Sequence, residues 1–180
     1  LPENAAAIST IVTSKMVRRI CDVNDIHFDE TFTGFKFMAE KLAEYQRDGS
    51  YQYVLAFEES YGYMMGDYVR DKDAVTACVM ITEMAAYYFE QGMTLAQALD
   101  ALYEKYGFYG ERTLNLVMPG LDGLEKMRAL MAQLRREPLQ EIAGTKVVRM
   151  RDYQDGSVYV MGLGTVSYTH LRAHETLRHL

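Results

Sequence analysis

The chain has 180 residues, 49% of them hydrophobic and 24% charged, with a formal charge of -6. That balance belongs to a globular protein long enough for one domain and part of another. The acidic net charge argues against a polybasic surface for nucleic acid or anionic membrane, and no apolar run reaches bilayer length.

Taken in chain order, the pattern alternates between strand and helix. Ala5 to Val12 is apolar with β-branched residues, which predicts a buried strand. Ser14 can cap a helix whose apolar positions are Met16, Val17, Ile20 and Cys21. A short extended piece is expected near Ile26 to Phe28. Gly34 then opens a helix with Phe35, Met38, Leu42 and Tyr45 on one face, closed at Gly49. Tyr51 to Phe57 predicts a second strand. A glycine-containing loop from Glu58 to Arg70 follows, and then a long helix from about Asp71 to Gln91. Ala74 to Phe89 is apolar nearly all round, which predicts burial on several sides. Cys21 and Cys78 both lie among apolar residues, so buried reduced thiols are expected, as in a cytoplasmic protein. No signal peptide is visible.

Thr94 and Gln97 have the spacing of a capping box for a helix with Ala98, Leu99, Leu102 and Tyr106 inward, and Gly107 stands where a C-terminal glycine belongs. Thr113 to Met118 alternates and predicts a half-buried strand. Asp122 and Glu125 suggest one more capped helix, with Leu124, Met127, Leu130, Met131 and Leu134 inward and Pro138 as its stop. Lys146 to Arg151 and Ser157 to Met161 read as two strands around an Asp155-Gly156 turn. The expected fold class is therefore α/β: a layered α/β/α sheet domain over residues 1-120, followed by the truncated start of an α+β domain over 121-164.

Glu58 to Asp73 is the segment richest in chemistry. In open α/β sheets ligands bind at the carboxyl ends of strands, and a helix start offers N–H groups to an anion. Glu58, Glu59 and Ser60 suit sugar hydroxyls, and Arg70 and Lys72 suit a phosphate. On residue types alone the segment reads equally as a solvated loop laced with ion pairs. Paired glutamates also raise acid/base catalysis, although nothing in the spacing demands it. His27 reads as structural, and Asp71 and Asp73 as carboxylates at a helix N-terminus rather than a metal site.

Three motifs occur in order: Thr33-Gly34-Phe35-Lys36-Phe37, then Phe57-Glu58-Glu59-Ser60-Tyr61-Gly62-Tyr63, then Arg70-Asp71-Lys72-Asp73. Together with Leu1-Pro2-Glu3-Asn4, Thr10-Ile11-Val12-Thr13-Ser14 and Tyr103-Glu104-Lys105-Tyr106-Gly107, they resemble the third domain of the α-D-phosphohexomutase superfamily. The resemblance is to its bacterial phosphoglucomutase or phospho-sugar mutase branch and runs to about residue 153. It implies an enzyme of four domains around one cleft. A phosphoserine in the first domain exchanges its phosphoryl group with a sugar phosphate through a bisphosphate intermediate, glucose 1,6-bisphosphate in the glucose enzymes. Mg2+ sits on an aspartate-rich loop of the second domain. The third reads the sugar, and the fourth grips the distal phosphate.

By the resemblance, Thr33, Glu58, Ser60 and Lys72 contact substrate, with Arg70 a further candidate. No catalytic residue and no metal site falls within the chain, because the Thr-Ala-Ser-His-Asn-Pro serine loop, the Asp-Gly-Asp magnesium loop and the Ser-Gly-Thr phosphate loop are absent from it. The implied partners are a small sugar phosphate and the missing domains of the same enzyme, with neither nucleic acid nor membrane. Phe57 stands where many relatives have glycine, and the loop before Lys72 is slightly longer than in animal phosphoglucomutases; both features resemble the branch that also includes phosphopentomutases. A phosphopentomutase, another phospho-sugar mutase or a non-catalytic sugar-phosphate-binding module are the alternative readings. The 180-residue chain alone is expected to lack mutase activity.

Three of the histidines, His170, His174 and His179, crowd the end of the chain. They are not read as a zinc site. Val166-Ser-Tyr-Thr-His-Leu-Arg-Ala-His-Glu-Thr176 resembles the translation of a transposon-end sequencing adaptor, so residues 165-180 are read as a non-native tail. Residues 166 to 180 are expected to pack against nothing.

Overall fold

A computed structural model describes residues 1–161 and the backbone of residues 164–167. The chain divides into two compact units, Leu1–Leu114 and Asn115–Leu180.

The first unit is built on a four-stranded sheet of order β2-β1-β3-β4. Its strands are β1 (Ala5–Thr10), β2 (His27–Thr31), β3 (Gln52–Phe57) and β4 (Tyr63–Met64). β1 runs parallel to both β2 and β3, and β4 is antiparallel to β3. Every residue of β1 is buried, as a central parallel strand covered on both faces should be.

Two helices supply that cover. Helix α1 (Met16–Val23) places Cys21 against Ala7 and Phe28 on one face. Helix α2 (Phe35–Asp48) packs Phe35, Met38, Leu42 and Tyr45 against Ala6, Ile8, Ala56 and Met64 on the other. The four α2 positions are those its 3.6-residue period selects, and the helix closes on Gly49 at φ 67, a left-handed cap that glycine adopts without strain. Burying a side chain such as Ile8 or Leu42 contributes about 1.5–3 kcal/mol, which gives this layered α/β/α unit its core. The Ser14 hydroxyl accepts from the Met16 N–H at the start of α1, as its position suggested. Lys15 and Arg18 then reach Glu30 of β2 at 2.5 and 2.9 Å. Burial works against the Glu30 carboxylate, but the hydrogen bonds and charges of Lys15 and Arg18 outweigh it and hold its carboxyl below the usual glutamate range.

Helix α3 (Ala74–Glu90) departs from expectation. Its apolar girth predicted burial on several sides, yet Ala77 is its buried residue, and Val75, Val79, Met80, Ile81, Met84, Tyr87 and Phe89 are exposed. Its neighbours are β4 and helix α4 (Leu95–Tyr106), and a strand as short as Tyr63–Met64 covers one turn of a helix and no more. Cys78 lies on this helix and is exposed, against the buried thiol expected, whereas Cys21 is buried and both are free. Burial pushes the Cys21 thiol up. The capping box at Thr94 and Gln97 forms and Ala98 is buried, but Leu99 faces out. Thr113 to Met118 is not a strand: no strand among the described residues pairs with it, and Leu114, Leu116 and Val117 are exposed.

The second unit holds helix α5 (Gly123–Arg136) and two antiparallel sheets. Along α5, Met127, Leu130 and Leu134 are half-buried, but Leu124 and Met131 are exposed, contrary to the inward stripe expected, and the Asp122 side chain makes no cap bond. β5 (Glu141–Ile142) and β6 (Thr145–Lys146) form a small hairpin whose turn residues, Ala143 and Gly144, both hold positive φ. β7 (Arg149–Arg151) pairs with β8 (Ser157–Val160) around the expected Asp155-Gly156 turn. The Arg135 guanidinium pairs with Asp152, tying α5 to the end of β7. β9 (Gly164–Ser167) continues the sheet along the other edge of β8. The tail expected to start at 165 and to pack against nothing from 166 therefore contributes Thr165, Val166 and Ser167 to a ladder. Strand addition uses backbone N–H and C=O groups that every residue carries, so it demands little of the side chains. Residues 168–180 lie outside the described residues. No helix among the described residues is long and apolar enough to cross a membrane.

Candidate functional site

The chemistry-rich segment is a hairpin tip before it is a helix entry. β3 ends at Phe57, which pairs with Tyr63 of β4, and the Glu58 N–H closes the loop onto the Gly62 carbonyl at 3.0 Å. Residues 58–62 thus project from the carboxyl end of β3, where ligands of open α/β sheets bind. Tyr61, exposed, takes the left-handed region at φ 62 to complete the turn. The strand-loop-helix reading missed this hairpin because Tyr63–Met64 is too short to show a period.

Inside the loop, the Ser60 hydroxyl donates to Glu58 Oε1 at 2.6 Å. A carboxylate has about four lone-pair positions, so this bond leaves acceptor capacity on Glu58. Glu58 is buried, at 9% exposure, not exposed as expected; Ser60 is exposed. Gly62 explains the difference. A Cβ there would meet Phe35 at 2.5 Å, Glu58 Oε1 at 2.9 Å and Lys72 Cδ at 3.0 Å, so three side chains close over the glycine. Phe35, Lys72 and the glutamate thus share the space beside Gly62. The Lys72 ammonium lies 4.9 Å from the centre of the Phe35 ring and 2.9 Å from Asp71 Oδ1. The Asp71 hydrogen bond, with the charges of Asp71 and Glu58 behind it, pushes the Lys72 ammonium above the usual lysine range.

Glu58 and Lys72 therefore meet at Gly62, and Ser60 joins them through its bond to Glu58. Thr33 is exposed on the turn into α2, two positions before Phe35, and among the described residues no hydrogen bond joins it to the other three. Arg70 turns away from them: its guanidinium donates to the Gln46 amide oxygen on α2 at 2.7 Å. The start of α3 is already capped. Asp73 Oδ1 accepts from the Val75 and Thr76 N–H groups, and the Tyr68 hydroxyl donates to its other oxygen at 2.6 Å. The hydrogen bond from Tyr68 and those of Thr76 hold the Asp73 carboxyl below the usual range, as a helix N-cap should. That terminus offers an anion less than an open one would.

The partners of two residues lay beyond the sequence reading. Glu59, named with Glu58 and Ser60 as suited to sugar hydroxyls, accepts from the Thr10 hydroxyl at 2.6 Å. At the amino end of the sheet, His27 stacks on Tyr51 at 3.8 Å between ring centres and lies 3.3 Å from Asp29. Asp29 also accepts from Tyr45 at 2.6 Å and pairs with Lys41 at 3.1 Å. Burial opposes its ionisation, but those bonds hold the Asp29 carboxyl below the usual range, while burial and the Asp29 charge push the Tyr45 hydroxyl far up. His27 is thus part of a packed polar cluster, in keeping with its structural reading.

Comparison with known proteins bears on this arrangement. The family described as phosphoglucomutase/phosphomannomutase, alpha/beta/alpha domain III, matches residues 1–106. A phosphoglucomutase of Staphylococcus aureus is 36% identical over 160 residues, which is 89% of this chain and 29% of that protein. A phosphoglucomutase of Staphylococcus saprophyticus is 32% identical over 157 residues, 87% of this chain and 28% of that protein. Among solved structures, the phosphoglucomutase parafusin (pp63) of Paramecium superposes with a TM-score of 0.52 at 21% identity. That match covers 86% of this chain and 27% of the Paramecium chain, and it speaks for the fold alone.

Proposed function

Because the chain belongs to the phosphoglucomutase/phosphomannomutase family through its alpha/beta/alpha domain III, we propose that it is the sugar-reading part of a phosphoglucomutase. The whole enzyme would interconvert glucose 1-phosphate and glucose 6-phosphate in the cytoplasm, through a phosphoserine and glucose 1,6-bisphosphate. The chain spans less than a third of its curated relatives, 29% of the S. aureus protein, so the phosphoserine is assigned to other domains of the same enzyme. The Mg2+ that the resemblance implies is assigned there too, and no step is drawn through it.

The observation that carries the reading is the Glu58–Ser60 pair at the hairpin tip, with Lys72 alongside. A carboxylate and a hydroxyl side by side can accept from and donate to neighbouring sugar hydroxyls. Both groups serve a ring presented in either of the orientations that a mutase must bind. The Ser60 bond fixes the Glu58 carboxylate before substrate arrives, which lowers the ordering cost on binding. The cationic Lys72 adds favourable charge for an anionic substrate. Thr33, on the neighbouring turn, completes the proposed set; Arg70, engaged by Gln46, is left outside it.

In the intact enzyme, Glu58→Ala is expected to lower kcat/KM for glucose 1-phosphate by about tenfold to a few hundredfold, the worth of a charged hydrogen bond of roughly 1.5–3 kcal/mol. Steady-state kinetics with glucose 1-phosphate and ribose 1-phosphate side by side checks both site and sugar. An unchanged kcat/KM in the variant removes the assignment, and a preference for the pentose phosphate replaces glucose in it. The 180-residue chain alone, assayed with glucose 1-phosphate, should give no glucose 6-phosphate, because positioning needs all the groups together.

A further inference from the structure

Resting on that reading, we propose that Glu59 is a positioning residue, whose carboxylate ties the sugar-reading hairpin tip to the end of β1 through Thr10. Thr10 is the last residue of β1 and is 1% exposed. A hydroxyl so buried needs partners, because an unpaired one forfeits its hydration for nothing. Its proton goes to Glu59 Oε2 at 2.6 Å. Thr10 Oγ1 in turn accepts from the Val12 N–H at 3.2 Å and lies 3.0 Å from the Thr13 hydroxyl, which itself sits 3.5 Å from Glu59 Oε2. The Thr13 N–H bonds back to the Thr10 carbonyl at 3.1 Å, so Thr10 also shapes the turn that leaves β1.

Two loops at the carboxyl edge of the sheet are thereby joined by one carboxylate. One is the turn from β1 into α1. The other is the tip 58–62, closed internally by the Glu58–Gly62 backbone bond and bent at Tyr61. Glu59 lies between the two residues proposed to read the sugar, so any slack in its anchor moves both. Its neighbours Ser9 and Phe57 fix the strand beneath, the Ser9 hydroxyl donating to the Phe57 carbonyl at 3.0 Å. Within the tip, Glu59 is the side chain whose hydrogen bonds reach outside it, to Thr10 and Thr13.

The test compares variants of the intact enzyme by KM and kcat for glucose 1-phosphate, with melting temperatures recorded beside them. Glu59→Ala is expected to raise KM by about tenfold or more, since displacement of a binding group by an ångström is enough to cost that much. Glu59→Gln keeps an acceptor oxygen for Thr10 and should return KM to within about threefold of the parent, the neutral acceptor giving a weaker bond than the charged one. Thr10→Val, which removes the donor without touching the tip, should raise KM as Glu59→Ala does. The double variant should be no worse than either single one, because both break the same link. A purely structural role would lower the melting temperature and leave KM alone, and that result overturns the proposal. So does a glutamine variant as impaired as the alanine one, or effects that simply add. Glu58→Ala is run in parallel. If it raises KM and Glu59→Ala does not, the positioning role alone falls; if neither moves KM, the sugar-reading role falls with it.

Discussion

β1 and α3 carry the same signal in the sequence, a mostly apolar run, and meet opposite fates. β1 is buried along its whole length between α1 and α2, whereas α3 buries Ala77 and leaves Phe89 81% exposed. An apolar run states that a segment needs cover; it does not state that neighbouring residues supply it. For β1 the cover is written nearby, in the Phe35, Met38, Leu42 and Tyr45 stripe and in Cys21. For α3 nothing comparable follows within Leu1–Leu114, where α4 contributes Ala98 as its buried residue.

The sharpest way to break the comparison is to delete side-chain volume at both places. Ile8→Ala in β1 is expected to cost about 2–5 kcal/mol of unfolding free energy, through lost burial and the cavity left behind. Met80→Ala in α3 should change it by no more than about 0.5 kcal/mol, as an exposed position does. Urea unfolding of the two variants measures both. A loss at Met80 as large as that at Ile8 would mean that α3 is covered after all.

A smaller effect separates the two regions by their ends. α3 is begun by the Asp73 cap, with two N–H groups on one carboxylate oxygen. Asp73→Ala should cost about 1 kcal/mol. With so little of α3 packed, the loss should appear as faster amide exchange in its first turn, while β1 amides stay protected. Equal acceleration in β1 would show that the two segments unfold as one.

Acid gives the mildest contrast. Glu30 holds the α1 side of the sheet through Lys15 and Arg18, and its folded-state carboxyl titrates below the ordinary value of 4.5. Asp29 on β2 is lowered from 3.8 in the same way. Groups with depressed folded values stabilise fully above those ordinary values and lose the contribution as pH falls through the folded ones. Melting temperature should therefore decline as pH drops below about 4.5, and Glu30→Gln should flatten that decline. An identical acid profile in the variant would sink the assignment.

How far the fold and site could be read beforehand follows the same division. The α2 stripe, the Gly49 cap, the Thr94–Gln97 box and the Asp155-Gly156 turn are local patterns, and each formed where its residues stood. Glu58, Ser60 and Lys72 came from motif likeness; Glu58 and Lys72 meet at one glycine and Ser60 bonds Glu58. What failed depended on partners distant in sequence. Thr113 to Met118 alternates like a strand but has no strand to pair with among the described residues, and Leu99 fits a helix stripe that nothing covers. The Glu59–Thr10 bond was invisible because Thr10 lies far back in the chain, across a parallel pairing of β1 and β3 that periodicity cannot foresee.

Gly62 has a consequence for how such a sequence can drift. Phe35, Glu58 and Lys72 come from three separate stretches of chain, and all three press on the space where its side chain would stand. A lineage that replaced the glycine would have to move the phenylalanine ring and the glutamate carboxylate together, with the lysine stem giving by a few tenths of an ångström, because adjusting either of the first two alone leaves the other collision standing. Intermediates on that route would be poorer proteins, so divergence should flow around the position. Tyr61, one residue earlier and open to solvent, can vary in side chain with only its backbone turn to respect. The hairpin tip thus joins a position frozen by its neighbours to one free to explore.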